Sequence, residues 1–202
     1  MEYIPIAESP DLRLYYDTAE AMILKATKSI AILTSGYYDK RQSGPSDHDA
    51  HKNFTTALHE HLKKNPAVSY REIFQFSTSS ENSFTSNKGW IYHLRSLAQL
   101  TIDRKNVNLK EMSYLPSPRV DSLLVVDSSA VLMENCDNNT EASDLKRHVV
   151  SLISIRDSDN ILPQKILAEF DSYWNRGTYD VSIDELIKKT SEEDKETSSE
   201  PT

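Results

Sequence analysis

The stretch "RVDSLLVVDSSAVLMEN", Arg119 to Asn135, constrains the chain most. Two apolar runs, about 120–126 and 129–134, are separated only by Asp127-Ser128-Ser129. That spacing is too short for a crossover helix, so the runs form adjacent antiparallel strands joined by a tight turn. Each run ends on a carboxylate, Asp127 and Glu134. Taken alone, Asp127 is a turn residue whose carboxylate accepts local backbone N–H groups.

The rest of the chain alternates around this hairpin. Ser9 is an N-cap and Pro10 a first helical residue, and Leu14, Met22 and Ala26 recur at near-helical spacing, which predicts a helix over about 10–27. Ile30 to Leu33 is a continuous apolar run, as in a strand covered on both faces, and Gly36 ends it. After a polar loop over 39–49, Phe54, Ala57, Leu58, His61 and Leu62 share one face of a helix stopped at Asn65-Pro66. "VSYREIFQF" is a strand, 77–87 a Ser-rich loop, and "KGWIYHLRSLAQLTIDRK" a helix burying Trp90, Leu94, Leu97, Ala98 and Thr101. "VNLKEMSYL" alternates, as a strand near a sheet edge does. Beyond the hairpin come a polar loop over 135–147 and the strand "HVVSLISIRD". A helix follows, presenting Ile166, Leu167, Phe170, Tyr173 and Trp174 on one face, with Gly177 just past its end.

The order α-β-α-β-α-β-β-β-β-α predicts an α/β fold: a mixed central sheet with helices on both faces. One domain fills 1–178, a short helix with a Ser182–Glu185 capping box fills 179–190, and 191–202 is an acidic tail with nothing to bury.

Composition narrows the function classes. The 202 residues carry 31 acidic and 23 basic side chains, a net charge of −8. General nucleic-acid or anionic-membrane binding needs excess Lys and Arg to displace counterions, so this balance argues against both. No apolar run approaches the ~20 residues of a membrane-spanning helix. The one cysteine, Cys136, forms no intrachain disulfide, which fits a reducing, cytoplasmic setting. Four glycines in all leave no glycine-rich phosphate loop, and no G-x-S-x-G is present. No cofactor is implied.

Six histidines raise the question of a metal or a proton relay. His48 and His51 are spaced for one helix face only if their helix begins early; His59 and His61 are two apart, and neither pair has a completing ligand set. The expectation is no metal, and a polar loop and helix face instead. His93 reads as an acid–base group beside the sheet or as a satisfied, partly buried side chain. "TSGYY" places Ser35 and Tyr37 at the carboxyl end of the first strand, where open α/β sheets bind ligands.

The element order, with "SIAILTS" after the first helix, "LLVVDSSAVLM" in the hairpin and "AEFDSYW" in the last helix, resembles one half-domain of the phospholipase D-like superfamily over about 10–177. That family carries H-x-K-x-x-x-x-D on its late hairpin. Aligning "VDSLLVVD" puts Asp127 on the Asp, Val120 on the His and Ser122 on the Lys; "ENCD" stands where the family has Gly-Ser and Asn. In the family the His attacks phosphorus, a second His protonates the leaving group and the Lys stabilises phosphoryl charge. Valine can neither attack nor shuttle a proton, and serine brings no positive charge. The resemblance therefore implies a non-catalytic domain acting in regulation or signalling, by protein association or ligand sensing, and paired as a homodimer through the motif-bearing sheet edge. Ser35, Tyr37, Arg119 and Asp127 are its candidate ligand-binding residues. The alternative is a phosphodiesterase or phosphatidyltransferase using displaced groups such as His93 or His148 with Asp127.

Overall fold

The computed structural model describes residues 13–35, 45–75, 88–112, 122–137, 148–156, 159, 161–176 and 178–180. Along the chain these form α1 (Arg13–Ile23), β1 (Ser29–Ser35), α2 (Pro45–Lys64), β2 (Ser69–Gln75), α3 (Lys88–Asp103), β3 (Val107–Met112), β4 (Ser122–Val126), β5 (Ala130–Asp137), β6 (His148–Arg156), α4 (Ile161–Arg176) and β7 (Thr178–Asp180). The strands make one seven-stranded sheet in the order β6-β5-β4-β1-β2-β3-β7. β1, β2 and β3 run parallel; β4, β5, β6 and β7 join antiparallel. This is the mixed α/β architecture that the pattern of elements predicts.

Residue alternation along the strands divides the core in two. On one face Ile30, Ile32, Tyr70, Phe74, Leu109, Leu124 and Val126 pack with α1, α2 and α3 through Ile23, Phe54, Leu58, Leu62 and Leu97. On the other, Ala31, Leu33, Ile73, Leu123, Val125 and Val131 pack against Phe170, with Ile166, Leu167, Tyr173 and Trp174 beside it. β1 is central and apolar on both sides because both sides are covered. The face expected of α2 is the buried one; on the face expected of α4, Phe170 is buried and Ile166, Leu167, Tyr173 and Trp174 are half-buried against the sheet. Trp90 and Leu94, expected among the buried residues of α3, have side chains outside the described set.

Several boundaries differ from expectation, each for a local reason. α1 ends at Ile23 rather than near 27: Lys25 and Ala26 make tight bonds to the carbonyls of Met22 and Ile23, and the N–H of Thr27 turns to a distant acceptor. α2 begins at Pro45, inside the expected loop, with proline at its first position, where the missing N–H is not needed. β5 continues through Asn135, Cys136 and Asp137, because the ladder to β6 supplies partners for a stretch too polar to read as strand. Tyr179 and Asp180 lie in β7, paired to Glu111 and Lys110, so the sheet passes the expected domain limit at 178. The expected helix from Ser182 and the acidic tail lie outside the described residues.

At the amino end of the parallel strands, side chains stitch the connections together. The Arg104 guanidinium donates to the carbonyl oxygens of Leu62, Pro66 and Val68, and Asn106 Nδ2 donates to Pro66 and Val68 at 3.0 and 2.9 Å. His61 Nε2 lies 3.0 Å from the Ala26 carbonyl oxygen, tying α2 to the start of β1. These carbonyls belong to helix ends and turns, which have no ladder partner. Arg104→Ala should lower unfolding free energy by about 2–3 kcal/mol, read as a fall in urea midpoint at unchanged slope. Arg104→Lys should recover less than half, since one ammonium cannot span three carbonyls.

Candidate functional site

The β4–β5 hairpin, on which the motif positions align, is interior to the sheet and not at its edge as expected: β4 pairs with β1 and β5, β5 also pairs with β6, and the edge strands are β6 and β7. Its turn is tight. Asp127 and Ser128 both have positive φ, 52° and 55°, and the Ser129 N–H reaches the Val126 carbonyl at 3.0 Å. Left-handed residues suit such a turn because their twist matches that of the strands, and aspartate tolerates that region better than most side chains.

The Asp127 carboxylate does not cap its own turn. It reaches to the entry of β1, almost a hundred residues earlier in sequence. Oδ2 accepts from the Thr27 N–H at 2.8 Å and the Thr27 hydroxyl at 2.9 Å; Oδ1 accepts from the N–H groups of Lys28 and Ser29, both at 2.8 Å. The Asp127 N–H returns a bond to the Ser29 carbonyl at 2.9 Å. Burial by itself raises the carboxyl pKa, but the N–H groups of Ser29, Thr27 and Lys28 and the Thr27 hydroxyl outweigh it and hold the group below the ordinary aspartate value. Asp127 is thereby committed to four donors. Because side chains alternate along a strand, fixing one end of β4 against β1 also fixes which face each of its residues takes.

Ser122 is at the other end of the hairpin, opposite Thr34 of β1 and Glu134 of β5. It is buried, at 8% exposure, and by alternation with Leu124 and Val126 it faces the α1–α3 side. Next to it in the same row is Phe74, fully buried, opposite Thr34 on β2. Ser35 ends β1 at this same end of the sheet. Asp127 is a strand length away, about 20 Å, so the structure does not bring Ser35 and Asp127 together. Tyr37, Arg119 and Val120 lie outside the described residues.

Neither histidine proposed as a displaced catalytic group meets Asp127. His148 opens β6 opposite Asp137, at the end of the sheet away from the Asp127 turn. His93, on α3, is 2% exposed and faces Glu72 of β2, with Nε2 3.2 Å from Oε2 and 3.4 Å from Oε1. Glu72 is fully buried and also accepts from the Tyr70 hydroxyl at 2.7 Å. The His59 ring stacks on His93 with centroids 5.2 Å apart and planes 16° apart. His51 stands edge-on to His93 at 6.4 Å, and Tyr16 of α1 edge-on to His51 at 5.3 Å. A polar column thus runs from α1 through α2 and α3 to β2, inside the larger half of the core. Burial pushes His59 down to about 3, with repulsion from His93 and Lys63 adding to it. Among the described residues no three His, Cys, Asp or Glu side chains are gathered to hold a metal ion. His48 and His51 do share α2, since the helix begins early, but the His48 side chain is outside the described set.

Sequence reading missed Glu72. The available signal was its position: in "YREIFQF" it shares strand parity with Tyr70 and Phe74, so a buried strand must bury it.

No protein-family model matches the sequence. No curated protein sequence matches it. Solved structures do match in shape. Nuc from Salmonella typhimurium, a phospholipase D family member, is 18% identical, with a TM-score of 0.53 over 89% of this chain and 100% of that one. NucT from Helicobacter pylori is 12% identical, with a TM-score of 0.52 over 89% and 100%. Phosphatidylserine synthase from Haemophilus influenzae Rd KW20 is 13% identical, with a TM-score of 0.56 over 96% of this chain and 44% of that one. TrmBL2, an archaeal chromatin protein with a novel mode of DNA binding, is 10% identical, with a TM-score of 0.55 over 90% and 55%. The fold is that of a phospholipase D-like half-domain: it spans the whole of Nuc and NucT and about half of the two longer chains.

Removing the carboxylate should leave three N–H groups at the β1 entry without their acceptor. Asp127→Ala should cost about 2–4 kcal/mol of unfolding free energy, and Asp127→Asn less, since one amide oxygen can still accept. The sign of the pH effect follows from a depressed folded pKa: Asp127 contributes fully above the ordinary aspartate value of 3.8 and loses its contribution as pH falls through the lower folded value. The wild-type minus Asp127→Asn difference in urea unfolding, measured at pH 7 and again below pH 3, should shrink at the lower pH.

Proposed function

We propose that this chain is a non-catalytic phospholipase D-like domain that acts by association, pairing with its own copy and presenting a surface to a protein or small ligand in a regulatory role. The carrying observation is the fate of the hairpin motif. The position aligned with the charge-bearing lysine is a buried serine beside Phe74 and Thr34. The position aligned with the nucleophile is a valine. The carboxylate that remains is taken up by the β1 entry. Loss of a single catalytic group typically costs a factor of ~10² or more, and here both the attacking and the charge-stabilising group are replaced.

The orientation of the sheet supports the association reading. β1, β2, β3 and β5 end, and β4 and β6 begin, on one side of the molecule. The connections 36–44, 76–87, 113–121 and 138–147 all leave from there. Recognition on a rigid scaffold is concentrated at such an end. Homodimer formation at the hairpin side is an expectation from half-domains of this fold. TrmBL2 gives a reason to consider DNA binding without catalysis, but the net charge of −8 weighs against it here. An enzymatic reading with displaced histidines is disfavoured by the engagement of His93 with Glu72.

Two measurements on the purified full chain test this. Light scattering coupled to gel filtration should give twice the chain mass of 23.0 kDa; a monomer at tens of micromolar contradicts the homodimer. Hydrolysis of bis(p-nitrophenyl) phosphate and of single-stranded DNA should stay at the buffer rate. Turnover that follows the protein through purification and disappears in Asp127→Asn, at a temperature where that variant is folded, contradicts the non-catalytic assignment.

A further inference from the structure

The end of the molecule at which the parallel strands begin is not used by the association reading, and the inference drawn from it is independent of that reading. α1, α2 and α3 finish there side by side, because each leads directly into β1, β2 or β3. The helix ends and turns carry Lys25, Lys28, Lys63, Lys64 and Lys105, all exposed. Backbone bonds hold these turns at one end of the sheet: the Lys28 carbonyl accepts from the Ser69 N–H at 2.9 Å, and the Asn106 carbonyl from the Tyr70 N–H at 2.7 Å. Arg104 spans the carbonyls of Leu62, Pro66 and Val68. Among the described residues of these helix ends and turns, the carboxylates are Glu20, Glu60, Asp103 and Asp127. Glu60 pairs with Lys64 at 3.1 Å, and Asp127 is taken up by the β1 entry. A chain with a net charge of −8 therefore has a local excess of cations here. Helix dipoles favour cations in a last turn, but Lys28 and Lys105 lie beyond the helices.

β7 aims the chain at this end. It pairs antiparallel to β3, with Thr178 opposite Met112 and Asp180 opposite Lys110. From Asp180 the chain therefore points along β3 toward Val107, about 10 Å further on, and Lys105 lies just beyond. Residues 181–202, outside the described set, include the acidic run Glu192, Glu193, Asp194, Glu196 and Glu200. The connection from Asp180 to Glu192 can span up to about 35 Å. Three strand spacings, from β7 across β3 and β2 to β1, come to about 15 Å. Met from the β7 edge, the cations come in the order Lys105 before β3, Lys63 and Lys64 before β2, and Lys28 before β1. The acidic run is long enough to lie across that row, and its charge is opposite.

We propose that the lysine-lined end of the sheet is a binding surface for an extended acidic segment, and that its occupant is residues 192–200 of the same chain. Each lysine–carboxylate contact there is exposed and weak. Tethering makes the set sufficient, because a flexible connection of this length holds the run at about millimolar local concentration. Exposure also makes the docking sensitive to salt, which screens such contacts. While docked, the run shields that end from other polyanions.

Carbodiimide coupling joins an amine directly to a carboxylate in contact with it, and on the full chain, with peptides read by mass spectrometry, it tests the proposal. At about 50 mM NaCl the carboxylates of 192–200 should couple to Lys28, Lys63, Lys64 and Lys105 about fivefold more than to the exposed Lys52 of α2 and Lys165 of α4. At about 500 mM NaCl the excess should fall below about twofold. Glu193→Lys combined with Glu196→Lys should remove the excess at low salt. If that variant does not fold, Lys63→Gln combined with Lys105→Gln takes its place and should lower coupling at Lys28 and Lys64. In an equal mixture of ¹⁴N and ¹⁵N chains, the coupled peptides should each carry a single isotope. Coupling spread evenly over the exposed lysines, or an excess unchanged by salt and by a folded variant, overturns the proposal. So do mixed-isotope products, which would assign the surface to a second copy.

Discussion

The Asp127 carboxylate is the constraint on which the rest of this structure depends. Three successive backbone N–H groups, Thr27 to Ser29, converge on it, and a hydroxyl completes the set. They lie just beyond α1, at the entry to the central strand. The carboxylate therefore joins three events: the termination of α1, the start of β1, and the closure of the β4–β5 hairpin. A strand with apolar residues on both faces has little in its own sequence to choose a register, since a slip of one residue still buries apolar groups. In β1, with Ile30 to Leu33 apolar throughout, a polar clamp at the end supplies what side-chain alternation does not.

The polar groups are distributed unevenly along the sheet. At the amino end of the parallel strands, Asp127, Arg104, Asn106 and His61 satisfy the carbonyls and N–H groups of turns and helix ends. At the other end is the side from which the long connections leave, and there Ser122 and Thr34 stand beside the buried Phe74. The Asp127 carboxylate belongs to the stitched end, where it serves the fold.

Much of this arrangement was legible in the sequence. Element order, the mixed sheet, the sheet-facing sides of α2 and α4 and the tight turn at Asp127 follow from periodicity and from the length of the polar interruption. The partner of Asp127 was not legible, because a carboxylate at a turn looks the same whether it caps its own backbone or a strand far away in sequence. Nor was the pairing of Glu72 with His93: each residue is ordinary in its own segment, and only the packing of α3 on β2 makes the pair. The polar residues of β5 past Glu134 and the three residues of β7 form strand because a neighbouring ladder is present, which no local pattern encodes. His48 and His51 show the limit of spacing arguments. α2 does begin early enough to put them one turn apart, yet His51 packs edge-on to Tyr16 and His93.

The central claim is that Asp127 is an anchor whose carboxylate is held ionised at neutral pH by the backbone amides of Thr27, Lys28 and Ser29. The most direct test is the carboxyl ¹³C chemical shift of Asp127 followed through acid pH. An inflection below 3.8, with the Lys28 and Ser29 amide protons shifting over the same range, is the predicted result. An inflection at or above 3.8, with those amides unmoved, would contradict it.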